Sequence, residues 1–248
     1  MALDGFSQRI LDNVAVVLHR PVLSENVGAS ARAMWNMGIS DLIIVEPRTW
    51  DEEAALRLAT RKASHILKKA SFHKTLEEAL SGFHFVVGTT ARTGDLRKDL
   101  WTPEQAANRI IEVAQTNRVA VLFGPEDRGL TNWELRLCNQ LVRIPTASFA
   151  SLNVAQAVLL LCYAIFQAVT GRREIPPSPK LATVEDVERM YKRLEEILIE
   201  IGMMKPDYSA RGMLKVRRFL SRVGLGPHEV QMIMGLCRQI EWYGKKRR

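Results

Sequence analysis

Residues 119–158, VAVLFGPEDRGLTNWELRLCNQLVRIPTASFASLNVAQAV, constrain the fold more than any other stretch. The run Val119 to Phe123 is short, apolar and rich in β-branched residues, which suits a parallel strand buried on both faces. It stops at Gly124-Pro125, where proline removes a backbone donor and glycine permits unusual angles. Thr131-Asn132-Trp133-Glu134 fits a capping box that opens a helix. A second strand over Leu141 to Ile144 ends at Pro145. A loop of small residues follows, and Ser151 is placed to cap an apolar helix running to Ala168. Two strand-to-loop turns this close in sequence set two polar loops at one carboxyl edge of a parallel sheet, where open α/β sheets bind ligands.

The rest of residues 1–170 repeats the alternation. VAVVL at residues 14–18 is expected to be a strand, followed by a helix from Glu25 to Met37 that Gly38 ends. A strand at Leu42 to Val45 precedes a helix over Asp51 to Leu67, with acidic residues at its positive end. A short helix over Leu76 to Leu80 leads to a strand at Phe83 to Val87, closed by Gly88-Thr89-Thr90-Ala91-Arg92. The loop Thr93 to Trp101 is charged, and Pro103 starts the helix that ends at Ala114. Repeated β-α units imply a parallel sheet covered on both faces. The loops PVLSEN, TTAR, GPEDRG and PTASFAS then gather at one edge.

GRREIPPSPK at residues 171–180 interrupts this order with three prolines and reads as a semi-rigid linker. The expected organisation is a domain at 1–170, a linker at 171–182 and a helical extension at 183–248. Three helices are expected in the extension, over Val184 to Ile201, Ser209 to Val223 and Pro227 to Trp242. Charge divides unevenly along the chain. Residues 1–170 hold 18 Lys+Arg against 17 Asp+Glu, whereas residues 171–248 hold 17 against 10. A basic appendage on a neutral domain points to a polyanionic partner, most simply nucleic acid. Lys215, Arg217, Arg218 and Arg222 supply its basic surface.

Several classes of function lack support. There is no GxGxxG after the first strand and no GxxxxGK[ST], which argues against a Rossmann nucleotide site and an ATPase. Gly224-Leu225-Gly226 reads as a helix stop. No metal-ligand spacing is present, and the three cysteines are far apart, as buried thiols of a reducing cytoplasm would be. Of the five histidines, only His19 lies near the loop edge, where a hydrogen-bonding role outweighs catalysis. The N-terminus has no signal-peptide core. No apolar run reaches membrane-spanning length, because polar residues punctuate Leu152 to Ala168.

Three motifs carry a resemblance: Glu25-Asn26-Val27-Gly28-Ala29-Ser30-Ala31-Arg32-Ala33-Met34, FGPEDRGLTNWEL and IPTASFASLNVAQAV. In this order and spacing they resemble the TrmH-like branch of the SPOUT class of RNA 2′-O-methyltransferases. The whole chain, helical tail included, looks most like the TrmJ-type tRNA methyltransferases. The resemblance implies a deep trefoil knot tied by the loops around Thr89, Gly124 and Ile144 to Leu152, an exception to the rule against threaded chains. It implies S-adenosyl-L-methionine as cofactor, held by Thr89, Thr90, Ala91, Gly124, Ile144, Ser151 and Leu152, largely through backbone groups. In it Arg32, Asn26, Glu126, Ser151 and Asn153 are catalytic, with Glu126 holding Asn26 or Arg32. An arginine is a poor base, so Arg32 more plausibly stabilises the developing alkoxide or fixes a phosphate. Arg92 is a further phosphate or substrate contact. A homodimer is implied, its site built partly by the neighbouring subunit, with the helix from Leu152 to Ala168 serving core or dimer packing. The expected reaction is 2′-O-methylation of a pyrimidine at the start of the tRNA anticodon loop. Methylation of ribosomal RNA or another tRNA position, or a non-catalytic knotted RNA-binding protein, are the alternatives. The loop after TTAR, TGDLRKDLW, does not take part in the resemblance.

Overall fold

The computed structural model describes residues 3–92, 100–171, 176, 178–221 and 224–246. They form two compact units, residues 1–178 and 179–248.

The first unit is built on seven parallel strands in the order β3-β2-β1-β6-β4-β7-β5. β1 is Val14–His19, β2 Asp41–Val45, β3 Ser71–His73, β4 Phe85–Thr89, β5 Leu100–Trp101, β6 Val119–Phe123 and β7 Gln140–Val142. The two most apolar runs lie side by side at the centre, with Val16 opposite Val121 and Leu18 opposite Phe123. Every residue of both strands is buried, as strands covered on both faces require. The short edge strands β3 and β5 fall where no strand is expected.

Helices α1 (Gly5–Asp12), α2 (Ser24–Asn36), α3 (Glu52–Lys69), α4 (Leu76–Leu80), α5 (Pro103–Val113), α6 (Asn132–Leu135) and α7 (Val154–Gly171) complete the unit. Thr102 and Gln105 form a capping box at α5, and Thr131 and Glu134 form the expected one at α6. α3 falls where a mostly helical stretch is expected, with a break at Thr60, whose φ is +62°. α2 meets α3 and α7, and α7 also meets α5 and α1. Gly28 sets the α2–α3 distance. A Cβ there would lie 1.9 Å from the carbonyl oxygen of Ala55. α7 buries Val154, Val158, Leu161, Cys162, Ile165 and Val169, while Leu159, Leu160 and Tyr163 are exposed. Its 18 residues are long and apolar enough to cross a membrane by length and composition. That corrects the expectation that polar residues shorten the run, because Gln156 and Gln167 lie within one continuous helix.

The second unit consists of α8 (Val184–Glu200), a 3-10 turn at Pro206–Tyr208, α9 (Ser209–Ser221) and α10 (Pro227–Lys246). Met190, Tyr191, Met213 and Val230 form its core. Gly224 takes φ +68° between α9 and α10, consistent with a helix stop.

Candidate active site

A cavity of about 370 Å³ opens at the carboxyl edge of β4, β6 and β7. Thr89 to Arg92, Phe123 to Leu130, Val142, Ile144 and Ala150 to Leu152 line it, with Val154 and Ala157 of α7. Three of the four expected loops therefore form its wall. The fourth, PVLSEN, is tied on by hydrogen bonds.

Those bonds join the three motifs. Glu126 Oε2 accepts from the Val22 amide at 2.8 Å, and Oε1 accepts from Asn26 Nδ2 at 2.8 Å. Asn26 Oδ1 in turn accepts from Asn153 Nδ2 at 2.9 Å. Asn153 Oδ1 accepts from the Ala155 amide at 2.9 Å, so the chain ends on the first turn of α7. Asn153, not Ser151, is the side chain that caps this helix. Both residue types cap well; Asn153 accepts from the helix through Oδ1 and donates to Asn26 through Nδ2. Ser151 remains on the cavity wall, exposed, with no partner among the described residues.

Further contacts tighten the loops. Thr89 Oγ1 donates to the Leu122 carbonyl at 3.1 Å, and the Thr90 amide donates to the Val142 carbonyl at 3.0 Å. The Thr90 amide is thus spent within the sheet, while the residue still lines the cavity. β7 ends at Val142, two residues before its expected end, and the Arg143 amide makes its last bond to β5, to the Trp101 carbonyl. The backbone groups of Ile144 and Leu152 consequently bond to no described residue while lining the cavity. A Cβ on Gly124 would lie 2.5 Å from backbone atoms of Gly129 and Leu130. The loop closes on itself there, through the Gly129 amide to the Pro125 carbonyl at 2.8 Å. This internal closure is what requires glycine at 124.

Arg32 does not join the group. Six residues beyond Asn26, it is rotated roughly 240° around α2 and about 9 Å along its axis. It is exposed, lies off the cavity wall and has no partner among the described residues. Glu126 therefore holds Asn26 and not Arg32. Arg92 reaches the rim, where its Nη2 donates to the Arg128 carbonyl at 2.9 Å.

In the second unit, Lys215 and Arg218 are exposed on α9. Arg217 is half-buried on the same helix. Its guanidinium pairs with both carboxylate oxygens of Glu188 and stacks 4.2 Å from the Tyr191 ring centre. An arginine committed to an internal pair is not open to a phosphate, which corrects its place in the basic surface. Arg222 lies outside the described residues.

Two supports escape a reading of the motifs alone. Arg48 bonds both oxygens of Asp127, at 2.8 and 3.0 Å, and anchors the loop from outside. Within the fold, His19 Nδ1 lies 3.1 Å from Glu134 Oε1, both side chains buried. Burial pushes the Glu134 carboxyl up, but the bond to the His19 ring, the Thr131 amide and hydroxyl and the imidazole charge outweigh it, leaving it at about 2. A carboxylate held below its ordinary 4.5 adds stability that is full above that value and is lost as pH falls towards 2. Glu134→Gln should therefore be less stable than the parent at pH 7, by at most about 3 kcal/mol. The gap should close between pH 4.5 and 2, as read by urea unfolding. A gap independent of pH would contradict the assignment.

Comparison with known proteins agrees with this geometry. Residues 13–163 match the SpoU rRNA Methylase family, and residues 185–248 match the C-terminal domain of the tRNA methyltransferase TrmJ. The tRNA (cytidine/uridine-2′-O-)-methyltransferase TrmJ of Pectobacterium atrosepticum is 34% identical over 240 residues, covering 94% of this chain and 98% of that protein. The tRNA (cytidine/uridine/adenosine-2′-O-)-methyltransferase TrmJ of Pseudomonas aeruginosa is 35% identical over 245 residues, covering 94% and 95%. The crystal structure of TrmJ from Z. mobilis ZM4 superposes with a TM-score of 0.79 at 33% identity, covering 92% of this chain and 98% of that one. With its methylase match spanning most of the first unit and full-length relatives a third identical, the chain belongs to the SpoU methylase family and carries a TrmJ-type C-terminal domain.

Proposed function

We propose that this protein is a methyltransferase that uses S-adenosyl-L-methionine to methylate a ribose 2′-hydroxyl of tRNA, at the pyrimidine that starts the anticodon loop. The observation that carries the reading is the hydrogen-bonded chain from Glu126 through Asn26 and Asn153 to the first turn of α7. It binds the three motif loops into one rim around a cavity whose floor presents free backbone groups.

The cavity fits the cofactor's chemistry. Unpaired backbone donors and acceptors at Ile144 and Leu152 suit an adenine and a ribose, groups that are read by hydrogen bonds rather than by charge. Thr89, Ala91, Gly124 and Ser151 complete the wall. When bound there, S-adenosyl-L-methionine supplies an electrophilic methyl group. The protein supplies position and electrostatics. Asn26, its amide fixed by Glu126 and its carbonyl by Asn153, holds the edge over which the ribose enters. Arg32 stabilises the negative charge that develops on the oxygen as the hydroxyl gives its proton to solvent, since a guanidinium does not act as a base near neutral pH.

Arg32 lies off the cavity of its own chain, which favours a homodimer in which it serves the neighbouring site. The exposed apolar face of α7 at Leu159, Leu160 and Tyr163 is suited to burial in that dimer. α7 then packs in the core on one side and against the second copy on the other, in a cytoplasmic protein rather than in a membrane. The loops at Thr89, Gly124 and Ile144 to Leu152 form a trefoil knot in this reading. Residues 1–170 are the catalytic domain, 171–182 a linker, and 183–248 an RNA-binding extension that uses Lys215, Arg218 and Arg222.

Incubation with labelled S-adenosyl-L-methionine and either total tRNA or ribosomal RNA tests the substrate. Label in tRNA alone supports the proposal. Label confined to ribosomal RNA replaces the substrate, and label in neither removes the catalytic reading.

A further inference from the structure

The side chain of Arg128 has no part in the scheme above, although its loop is held at every other point. Both oxygens of Glu126 are taken by Val22 and Asn26, and both oxygens of Asp127 by Arg48. The Gly129 amide goes to Pro125, and the carbonyl of Arg128 itself accepts from Arg92. What remains is the Arg128 guanidinium. It lies exposed on the cavity wall, and among the described residues it makes no hydrogen bond or ion pair.

Arg92 brings a second guanidinium to the same rim. Neither arginine has an acidic partner among the described residues. Asp127 feels the Arg128 charge, but less than that of Arg48, which holds its carboxylate by hydrogen bonds. The charge of Asp127 is balanced by Arg48, and Glu126 is engaged by amide donors. Two like charges at one rim repel, and an anion between them turns that repulsion into attraction. Arginine forks suit a phosphate in particular.

We infer that Arg128, beside Arg92, forms a seat for a backbone phosphate of the RNA, next to the ribose presented to the cavity. Arg128 is a positioning residue. It fixes the strand so that the correct 2′-hydroxyl reaches the floor. The inference rests on the RNA methylation reading and adds the contact that sets the register of the strand. An RNA backbone carries a phosphate on each side of every ribose, so a ribose at the mouth brings one to the rim.

Arg128→Ala and Arg128→Lys test it cleanly, because the bond to Arg92 uses the backbone carbonyl and survives either change. The measurements are tRNA Kd across a salt series, Kd for S-adenosyl-L-methionine, and KM and kcat for methyl transfer. For Arg128→Ala, tRNA Kd and KM should rise about tenfold. The slope of log K against log salt should become shallower by roughly 0.7–0.9, the loss of one phosphate contact. Cofactor Kd should not change, and Arg128→Lys should recover most of the tRNA affinity. Unchanged tRNA Kd and salt slope would overturn the inference and leave Arg128 a solvated cation. A weaker cofactor Kd with tRNA binding intact would overturn it in favour of the cofactor carboxylate. tRNA binding is measured without turnover, so a parent protein that binds tRNA but methylates nothing would undermine the proposed reaction and not this contact.

Discussion

Arg32→Ala should lose methyl transfer by about 10³-fold or more, with cofactor affinity and oligomeric mass unchanged. Arg32 is exposed and its side chain makes no hydrogen bond or ion pair among the described residues, so its removal leaves no buried group without a partner. It also lies off the cavity wall, so the cofactor site keeps its shape. Arg32→Lys should recover little, because a lysine keeps the charge but loses the planar fork. Mixed dimers give the sharper result. An Arg32→Ala chain has an intact cavity, and a Glu126→Ala chain has an intact Arg32. If Arg32 acts across the dimer, the pair contains one complete site and should show about half the parent activity. If Arg32 acts within its own chain, the pair contains none.

Gly28→Ala should destabilise the first unit by about 3–5 kcal/mol. In an unpacked helix the same change would stabilise by about 1 kcal/mol, because alanine has the higher helix propensity. Here the new methyl would lie 1.9 Å from the Ala55 carbonyl oxygen and 2.8 Å from its carbon. Both are backbone atoms of α3, so no side chain can rotate away, and α2 and α3 must separate along their contact. The melting temperature should fall by about 10 °C or more. Because α2 also carries Asn26, any folded fraction should bind cofactor more weakly. A variant as stable as the parent would show that the two helices do not meet closely at Gly28.

These two residues mark what a sequence can and cannot convey. The motif containing Gly28 and Arg32 is legible as a motif, yet its parts have unrelated duties. Gly28 serves helix packing, Asn26 the rim, and Arg32 neither within this chain. The central strands are legible because β1 and β6 are short apolar runs containing several valines, buried on both faces. β3 and β5 are not, since three and two residues at a sheet edge leave no periodicity to detect. The choice of Asn153 over Ser151 as the helix cap is equally hidden. It is decided by Asn26, 127 positions away in sequence, which takes the Asn153 amide. Arg217 reads as one more cation on a basic helix until Glu188 and Tyr191 are brought beside it from α8. Local signals specify the elements, whereas long-range partners specify which polar side chains are left over for chemistry.

The most direct test of the central claim is to map the modified nucleoside after methyl transfer to unmodified tRNA. Digestion and mass spectrometry would locate the added methyl group. The account predicts a 2′-O-methylated pyrimidine at the start of the anticodon loop, formed only in the presence of S-adenosyl-L-methionine and absent with Arg32→Ala. A methyl group on a base, or tRNA left unmodified by a folded protein that binds the cofactor, would contradict it.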